Sequence, residues 1–230
     1  MMTMDSFDAE GPQRPTMARR IGDVLRDAIV TLELKPGDTI SESEIAARFG
    51  VSRQPVREAF IQLAEQGLLR VRPQRSTEVV RISVRSVLNA RFVREALEVA
   101  VVRKAAEDCA GMEASTFEEV LALQARASDA NDYRAFHTQD DAFHRLLAKL
   151  SGHEFVWRLI DAQKQQMDRV RYLSLALGMP NTIREHREIG DAVLAGDAAL
   201  AEAHMRRHLH KIDTHILQIR DLHREFFADE

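Results

Sequence analysis

The sequence predicts a mainly α protein of two modules: an N-terminal one of three helices with a small β-hairpin, then a C-terminal all-α helical bundle. Two observations carry the division. Apolar residues recur at helical spacing through most of the chain, whereas β-prone runs are confined to the stretch around residues 68–82. The charge also divides: residues 14–83 hold 12 Lys+Arg against 9 Asp+Glu, and residues 84–230 hold 20 against 24. A basic first module points, weakly by itself, toward an anionic partner.

At 230 residues, with 45% hydrophobic and 30% charged, the chain can bury a sizeable core. Cys109 is the one cysteine, so an internal disulfide framework and a multi-cysteine zinc site are excluded, and a reducing, cytoplasmic setting is the natural expectation. No apolar run reaches membrane-spanning length. Residues 1–13 lack an apolar stretch and carry acids, so they read as a disordered tail and not as a signal peptide.

The elements of residues 14–83 follow in order. Met17–Leu34 reads as an amphipathic helix with Ile21, Val24, Leu25, Ala28 and Ile29 on one side, stopped by "KPGD" at Lys35. Ser41 or Ser43 caps a short helix ending at Phe49, and Gly50 supplies a sharp turn. Ser52 caps a further helix that Gly67 closes. "LLRV" and "TEVVRI" are short β-prone runs around the polar turn "RPQRS". Helix, helix, glycine turn, helix and hairpin is the order of a winged helix-turn-helix. A recognition helix needs donors near its N-terminus, where backbone N–H groups also face phosphate. Ser52, Arg53, Gln54 and Arg57 occupy that stretch. Arg can hold guanine, and Gln adenine, with paired hydrogen bonds. The plainer reading is a solvated helix face.

The stretch "LKPGDTISESEIAARFGVSRQPVREAFIQLAEQGLL" resembles the DNA-binding domain of GntR-type bacterial transcription regulators. The likeness runs from Met17 to Ile82, with one departure at Ser76, where many relatives place glycine in the wing. It implies that Arg53 and Arg57 contact bases or phosphates of a pseudo-palindromic double-stranded operator. It also implies that Ser43, Gln74 and Arg75 approach the backbone or minor groove.

From Val84 onward, helices read at Val84–Cys109, Ser115–Asp129, Tyr133–Leu150, Glu154–Leu177, Thr182–Leu194 and Ala198–Phe227. Ser83, Ser115 with Glu118, and Asp197 supply caps. In "TQDDAFHRLLAKLSG", Asp140 and Asp141 lie four and three residues before His144, so acid and imidazole share a helix face. By spacing alone this is an ion pair, a catalytic pair or half of a metal site.

The pieces "FVREALEVA", "DDAFHRLLAKLSGHEF", "EHREIGDAVLAGD" and "AHMRRHL" resemble, in that order, the FCD ligand-binding domain of the FadR-like branch of the same family. The resemblance implies that residues 84–230 bind an effector and dimerise. It implies a divalent metal held by Asp140, His144, His186 and His208. Three imidazoles and one carboxylate suit Zn, Ni, Mn or Fe without choosing among them. On spacing, Asp141 could replace Asp140, and His204 could replace His208. Arg94 interrupts the apolar stripe of Val87, Ala90, Leu97 and Val101, and a guanidinium there wants an anion. Glu98, one turn on, is the plain partner. The resemblance implies an effector carboxylate.

The expectation is a homodimeric transcription regulator, with no membrane partner, whose operator affinity responds to a small organic acid. The rivals are a metal-dependent hydrolase fused to a DNA-binding head, and a metal sensor. No motif places the separate acid/base group that a hydrolase needs.

Overall fold

The computed structural model describes residues 15–72, 76–175 and 178–229. The N-terminal tail at 1–13, Gln74 and Arg75 of the wing turn, and the expected helix end at Leu177 lie outside these residues.

In the head, α1 (Met17–Val30) starts at Thr16, whose side chain accepts a hydrogen bond from the Arg19 N–H. It stops short of Leu34 because Thr31 caps it and Leu32 takes a left-handed φ of 60°. Val24, expected on the apolar side, is 52% exposed. Ser41, not Ser43, caps α2 (Glu42–Phe49), in a reciprocal box with Glu44. Gly50 ends that helix at φ 65°, a left-handed conformation natural to glycine, and the chain re-enters as α3 (Arg53–Glu65). Ser52 precedes α3, but its side chain makes no capping bond.

The expected hairpin gains a third strand. β1 (Thr39–Ile40), β2 (Leu69–Arg70) and β3 (Thr77–Val79) form an antiparallel sheet in the order β1-β3-β2. Ile40 lies opposite Thr77, and Leu69 opposite Val79. At two residues, β1 is too short to show a sequence period. Ile21, Leu25 and Ile29 of α1 meet Val56, Phe60 and Leu63 of α3 in the head's core. Each large side chain so buried contributes about 1.5–3 kcal/mol.

The bundle comprises α4 (Val84–Asp108), α5 (Ser115–Asp129), α6 (Tyr133–Leu150), α7 (Phe155–Ser174), α8 (Met179–Leu194) and α9 (Ala198–Leu222). Ser83 and Asp197 cap α4 and α9 as expected. Ser115 does not cap α5: the preceding Ala114 is the boundary residue, and the Ser115 hydroxyl donates to Glu113. α8 begins before Thr182, at Met179, with Pro180 in its first turn, where no N–H is needed. α9 ends at Leu222. A 3-10 turn, Arg224–Phe226, then brings Phe227 beside Ile82 in a parallel bridge, so the chain's end packs against the link between the modules. α4 is central: Val99, Val102, Ala105 and Ala106 are buried with Phe143, Ile160, Val193 and Met205 of its neighbours. Among the described residues no helix is long and apolar enough to cross a membrane.

α7 joins the two modules. Gln166 Nε2 donates to the Gly67 carbonyl at 2.7 Å, and the fully buried Arg169 donates to the Val80 carbonyl and to Gln166. Arg169 has no carboxylate partner among the described residues, and burial lowers its pKa to about 10. On α7's other side, Lys164 contacts Asp141 at 2.7 Å and Asp168 at 2.6 Å, and Arg171 contacts Asp168 at 2.8 Å. The Lys164–Asp141 pair ties α7 to α6, and the other two lie within α7.

Two outcomes follow. Gly67 sits at φ 71°, and a Cβ there would lie 2.8 Å from Gln166 Nε2. Gly67→Ala should therefore cost about 1–2 kcal/mol from the backbone alone and displace Gln166, read as a lowered urea midpoint. An unchanged midpoint refutes this account of the junction. Burial would raise the Asp168 carboxyl, but Lys164 and His137 hold it at about 2, below its ordinary 3.8. The folded pKa is depressed, so this stabilisation is complete above about pH 4 and is lost as pH falls toward 2. Asp168→Asn should cost about 2–3 kcal/mol at neutral pH, with Asp141 remaining as a partner for Lys164. Denaturation of both proteins across pH should show a constant gap that narrows only below about pH 4.

Candidate functional site

The head presents its DNA-reading residues around the α2–α3 turn. Arg53 and Gln54 open α3 on the exposed surface, and Gln54 Nε2 donates to Glu58 at 3.0 Å. Arg57, one turn on, forms a two-pronged pair with Glu42 of α2 at 3.1 and 3.0 Å, which raises its pKa. Ser43 is exposed beside the Ser41 hydroxyl at 3.3 Å. Spacing could not have shown the Glu42 contact, because it joins two helices across the turn.

The bundle brings Asp140, His144, His186 and His208 together. One ligand atom from each lies within 4.8 Å of the others. α6 supplies Asp140 and His144, α8 supplies His186, and α9 supplies His208. The alternatives on spacing fall elsewhere. Asp141 faces Lys164 and Arg171, and His204 faces Glu188 and Arg207 at the surface.

The ring orientations have identifiable causes. Gln124 of α5 donates its amide to the Gln139 carbonyl at 3.0 Å, which leaves its oxygen facing His186 Nδ1 at 2.9 Å. His186 must then donate from Nδ1, and its Nε2 carries the lone pair. His208 Nδ1 lies 3.0 Å from Glu185, and His144 Nδ1 contacts Glu98. Each imidazole therefore has an acceptor at Nδ1. Among the described residues, the buried Nε2 atoms of His144 and His186 have no hydrogen-bond partner. Asp140 divides its two oxygens: Oδ2 pairs with Arg171, and Oδ1 lies 3.5 Å from His186 Nε2.

Burial lowers the His144 pKa, and Glu98 opposes it. Burial, with His208 and His144 nearby, pushes His186 well below its ordinary value. Burial brings His208 down to about 4 against the pull of Glu185. The three rings are thus neutral near pH 7, the state in which imidazole ligates. For Glu98, burial would raise the pKa, but Arg94 and His144 hold it well below the usual carboxylate range. Outward-facing acceptors at Nδ1, orphaned Nε2 lone pairs and a shared carboxylate form a donor set that fits a divalent cation.

Beside this cluster is a cavity of about 170 Å³, with Arg94, Asp140, Arg171 and His208 in its wall. Arg94 is 2% exposed and paired with Glu98, the partner that spacing offered. Its Nη2 remains buried without a hydrogen-bond partner among the described residues. Sequence reading missed Gln124 and Glu185. Gln124, polar among buried Val120, Leu121 and Ala127 on α5, carried the same signal as Arg94. Glu185 carried none beyond its place next to His186.

Comparison with known proteins gives two family matches. Residues 17–79 match the model described as bacterial regulatory proteins, gntR family, and residues 90–211 match the FCD domain. The chain is 38% identical over 221 residues to the HTH-type transcriptional repressor RspR of Escherichia coli K12, covering 95% of this chain and 96% of that one. A solved structure of a putative GntR transcriptional regulator from Rhodococcus sp. RHA1 is 27% identical, with a TM-score of 0.75 over 87% of this chain and 97% of that one. Escherichia coli McbR/YncC shares the fold, with a TM-score of 0.75 at 19% identity over 91% of this chain and 99% of that one. With a head and a bundle that each match, and relatives aligned along nearly the whole chain, this protein belongs to the GntR family of DNA-binding transcriptional regulators and carries a C-terminal FCD domain.

Proposed function

We propose that the protein is a homodimeric, cytoplasmic repressor whose grip on a pseudo-palindromic operator responds to a small carboxylate metabolite held in the bundle. One helix-turn-helix reads one half-site, so two copies are needed for a palindrome. Arg53, Gln54 and Arg57 contact bases or phosphates, Ser43 and Ser52 the backbone, and Gln74 and Arg75 the groove beside the wing. Repression is supported by the name of the relative RspR. In the bundle, Asp140, His144, His186 and His208 hold a divalent metal, one of Zn, Ni, Mn or Fe. The metal supplies a Lewis-acidic anchor for the effector, and Arg94 binds the same carboxylate.

The observation that carries this reading is the Asp140, His144, His186 and His208 cluster, with two orphaned imidazole nitrogens, beside a cavity that Asp140, His208 and Arg94 line, Arg94 Nη2 having no hydrogen-bond partner among the described residues. A buried polar atom without a partner is costly, so its persistence points to a missing one. The effector shifts the operator equilibrium only by its differential affinity for the two placements of the heads.

Arg57→Ala should weaken operator affinity about tenfold or more if Arg57 reads a base, whereas Glu42→Ala, which frees Arg57, should not. Gel-shift titrations check this, and equal losses in both variants would recast the pair as a brace between α2 and α3. On the metal, elemental analysis of protein purified without chelators should find one divalent ion per chain. Added metal should raise the melting temperature of stripped protein, because the folded site binds and the unfolded chain largely does not. His186→Ala should lose metal and effector response yet keep operator binding. Undiminished metal affinity in His186→Ala sinks the ligand set, and operator binding that follows metal alone makes the protein a metal sensor.

A further inference from the structure

We infer that residues 223–228 form a clasp that closes over the linker between the modules and sets where the DNA-binding head sits on the bundle. The clasp stands apart from the operator and effector reading, because its first test needs neither DNA nor metal.

The linker runs from the end of β3 at Val79 to the start of α4 at Val84. A link between modules is ordinarily solvated and free to bend. Here its backbone groups are taken. Val80 donates to the Leu68 carbonyl at 2.9 Å, and its own carbonyl accepts from Arg169. Ile82 donates to the Phe226 carbonyl at 2.8 Å, and the Ala228 N–H donates to the Ile82 carbonyl at 2.9 Å. The segment after α9 supplies both partners of Ile82. The Ile82 side chain is wholly buried, and so is nearly all of Phe227, its partner in the bridge. Both belong to one apolar cluster with Val87 of α4, Val170 of α7 and Ile216 and Ile219 of α9.

That cluster decides how the head is held. The head's buried apolar core is drawn from Ile21 to Val79, and the bundle's clusters begin at Ile82. Among the described residues no buried apolar cluster takes members from both sides. Head and bundle meet through polar ties: Gln166 and Arg169 on the head's backbone, and the Arg134–Asp27 pair at the surface. An exposed pair of that kind contributes little, whereas apolar burial is the dominant force in docking. Ile82 under Phe227 is therefore the anchor at which the chain leaves the bundle, and the head turns about the residues just before it.

The clasp is built to open without the bundle. Phe227 is the one buried residue in the stretch 223–229. Its bridge to the linker is a single residue wide, and the 3-10 turn before it, Arg224–Phe226, has no side-chain cap. Such a segment opens locally while the core stays folded. It continues α9, which supplies His208 and lines the cavity with Ile212 and His215. A displacement of α9 at that cavity thus carries the clasp with it.

Trypsin reads the clasp directly in the full-length protein. The Arg81–Ile82 peptide bond follows an exposed arginine, but the backbone N–H and carbonyl of Ile82 are both held by the clasp. Cleavage there must await local opening. Its rate, followed by mass spectrometry through the new Ile82 terminus, should rise about tenfold or more in Phe227→Ala. Ala228→Pro is the milder variant: it deletes the N–H that reaches Ile82, and Phe227 already has the extended backbone, φ −98° and ψ 148°, that a residue before proline adopts. It should also speed cleavage at Arg81, with cleavage at Arg187, exposed on α8, unchanged. Unchanged rates at Arg81 in both variants overturn the clasp, and equal acceleration at Arg187 in both overturns it in favour of general loosening. Head placement is tested by gel shift on an operator selected by the wild type from random duplexes, with its half-sites then moved apart by two base pairs. This arm rests on the homodimer reading; the proteolysis does not. The insertion should weaken wild-type binding about tenfold or more, and both variants by less than about threefold, because a freed head can follow its half-site. A wild type indifferent to the insertion, or variants that suffer the full loss, overturns the claim that the clasp sets the head's position.

Discussion

Burying a carboxylate in the middle of a helical bundle costs several kcal/mol unless charge and hydrogen bonds meet it, and Asp140 is such a carboxylate. Its environment is organised around that cost. Arg171 of α7 takes one oxygen, and the other faces the imidazoles. Arg171, half-buried, brings in Asp141 and Asp168, and they in turn hold Lys164. Each charge added to satisfy one group requires another. The result ties α6 and α7 together with a polar network where apolar packing alone would leave their relative rotation free. Removing one member strands a neighbour, so such a network specifies a geometry more than it adds net stability.

The same requirement explains the imidazoles. A neutral histidine in an apolar interior needs its N–H met, and each of the three has an acceptor at Nδ1 from a different helix: Glu98 of α4, Gln124 of α5 and Glu185 of α8. With Nδ1 spoken for, Nε2 can only face inward. The tautomer is thus fixed from outside the cluster, two contacts away in the case of Gln139 and Gln124. Six helices contribute to one centre, which accounts for its place in the core of the bundle and not on a loop.

α7 links this centre to the head. Asp168 and Arg171 point to the site, while Gln166 and Arg169 hold the backbone of Gly67 and Val80. A rotation of α7 that accommodates a change at Asp140 necessarily moves its grip on the head, because both sets of contacts are on one rigid element. Arg169 makes the junction sensitive: a wholly buried guanidinium satisfied by a backbone carbonyl and a glutamine has, among the described residues, no carboxylate to compensate its charge.

Much of this was legible in the sequence where the information is local. The α2–turn–α3 order follows from the Ser41–Glu44 cap and Gly50, and the bundle helices from long apolar periods, because capping and periodicity act over a few residues. Asp140 and His144 share a face by their spacing alone. His186 and His208 were joined to them through resemblance, since no periodicity relates residues on different helices. What only the tertiary structure decided is long-range. The Glu42–Arg57 fork, the third strand β1, the return of Phe227 to Ile82 and the turning of Asp141 away from the imidazoles all depend on how elements dock. Helix α9 was expected to run on to Phe227, but burial of Phe227 beside Ile82 outweighs the extra turns that its local sequence allows. The sequence by itself determined which residues could serve as donors, acceptors and ligands, because that is a property of side-chain chemistry. Which nitrogen of each ring faces the centre was decided by Gln124, Glu98 and Glu185, because a tautomer is set by contacts that exist only once the helices have packed.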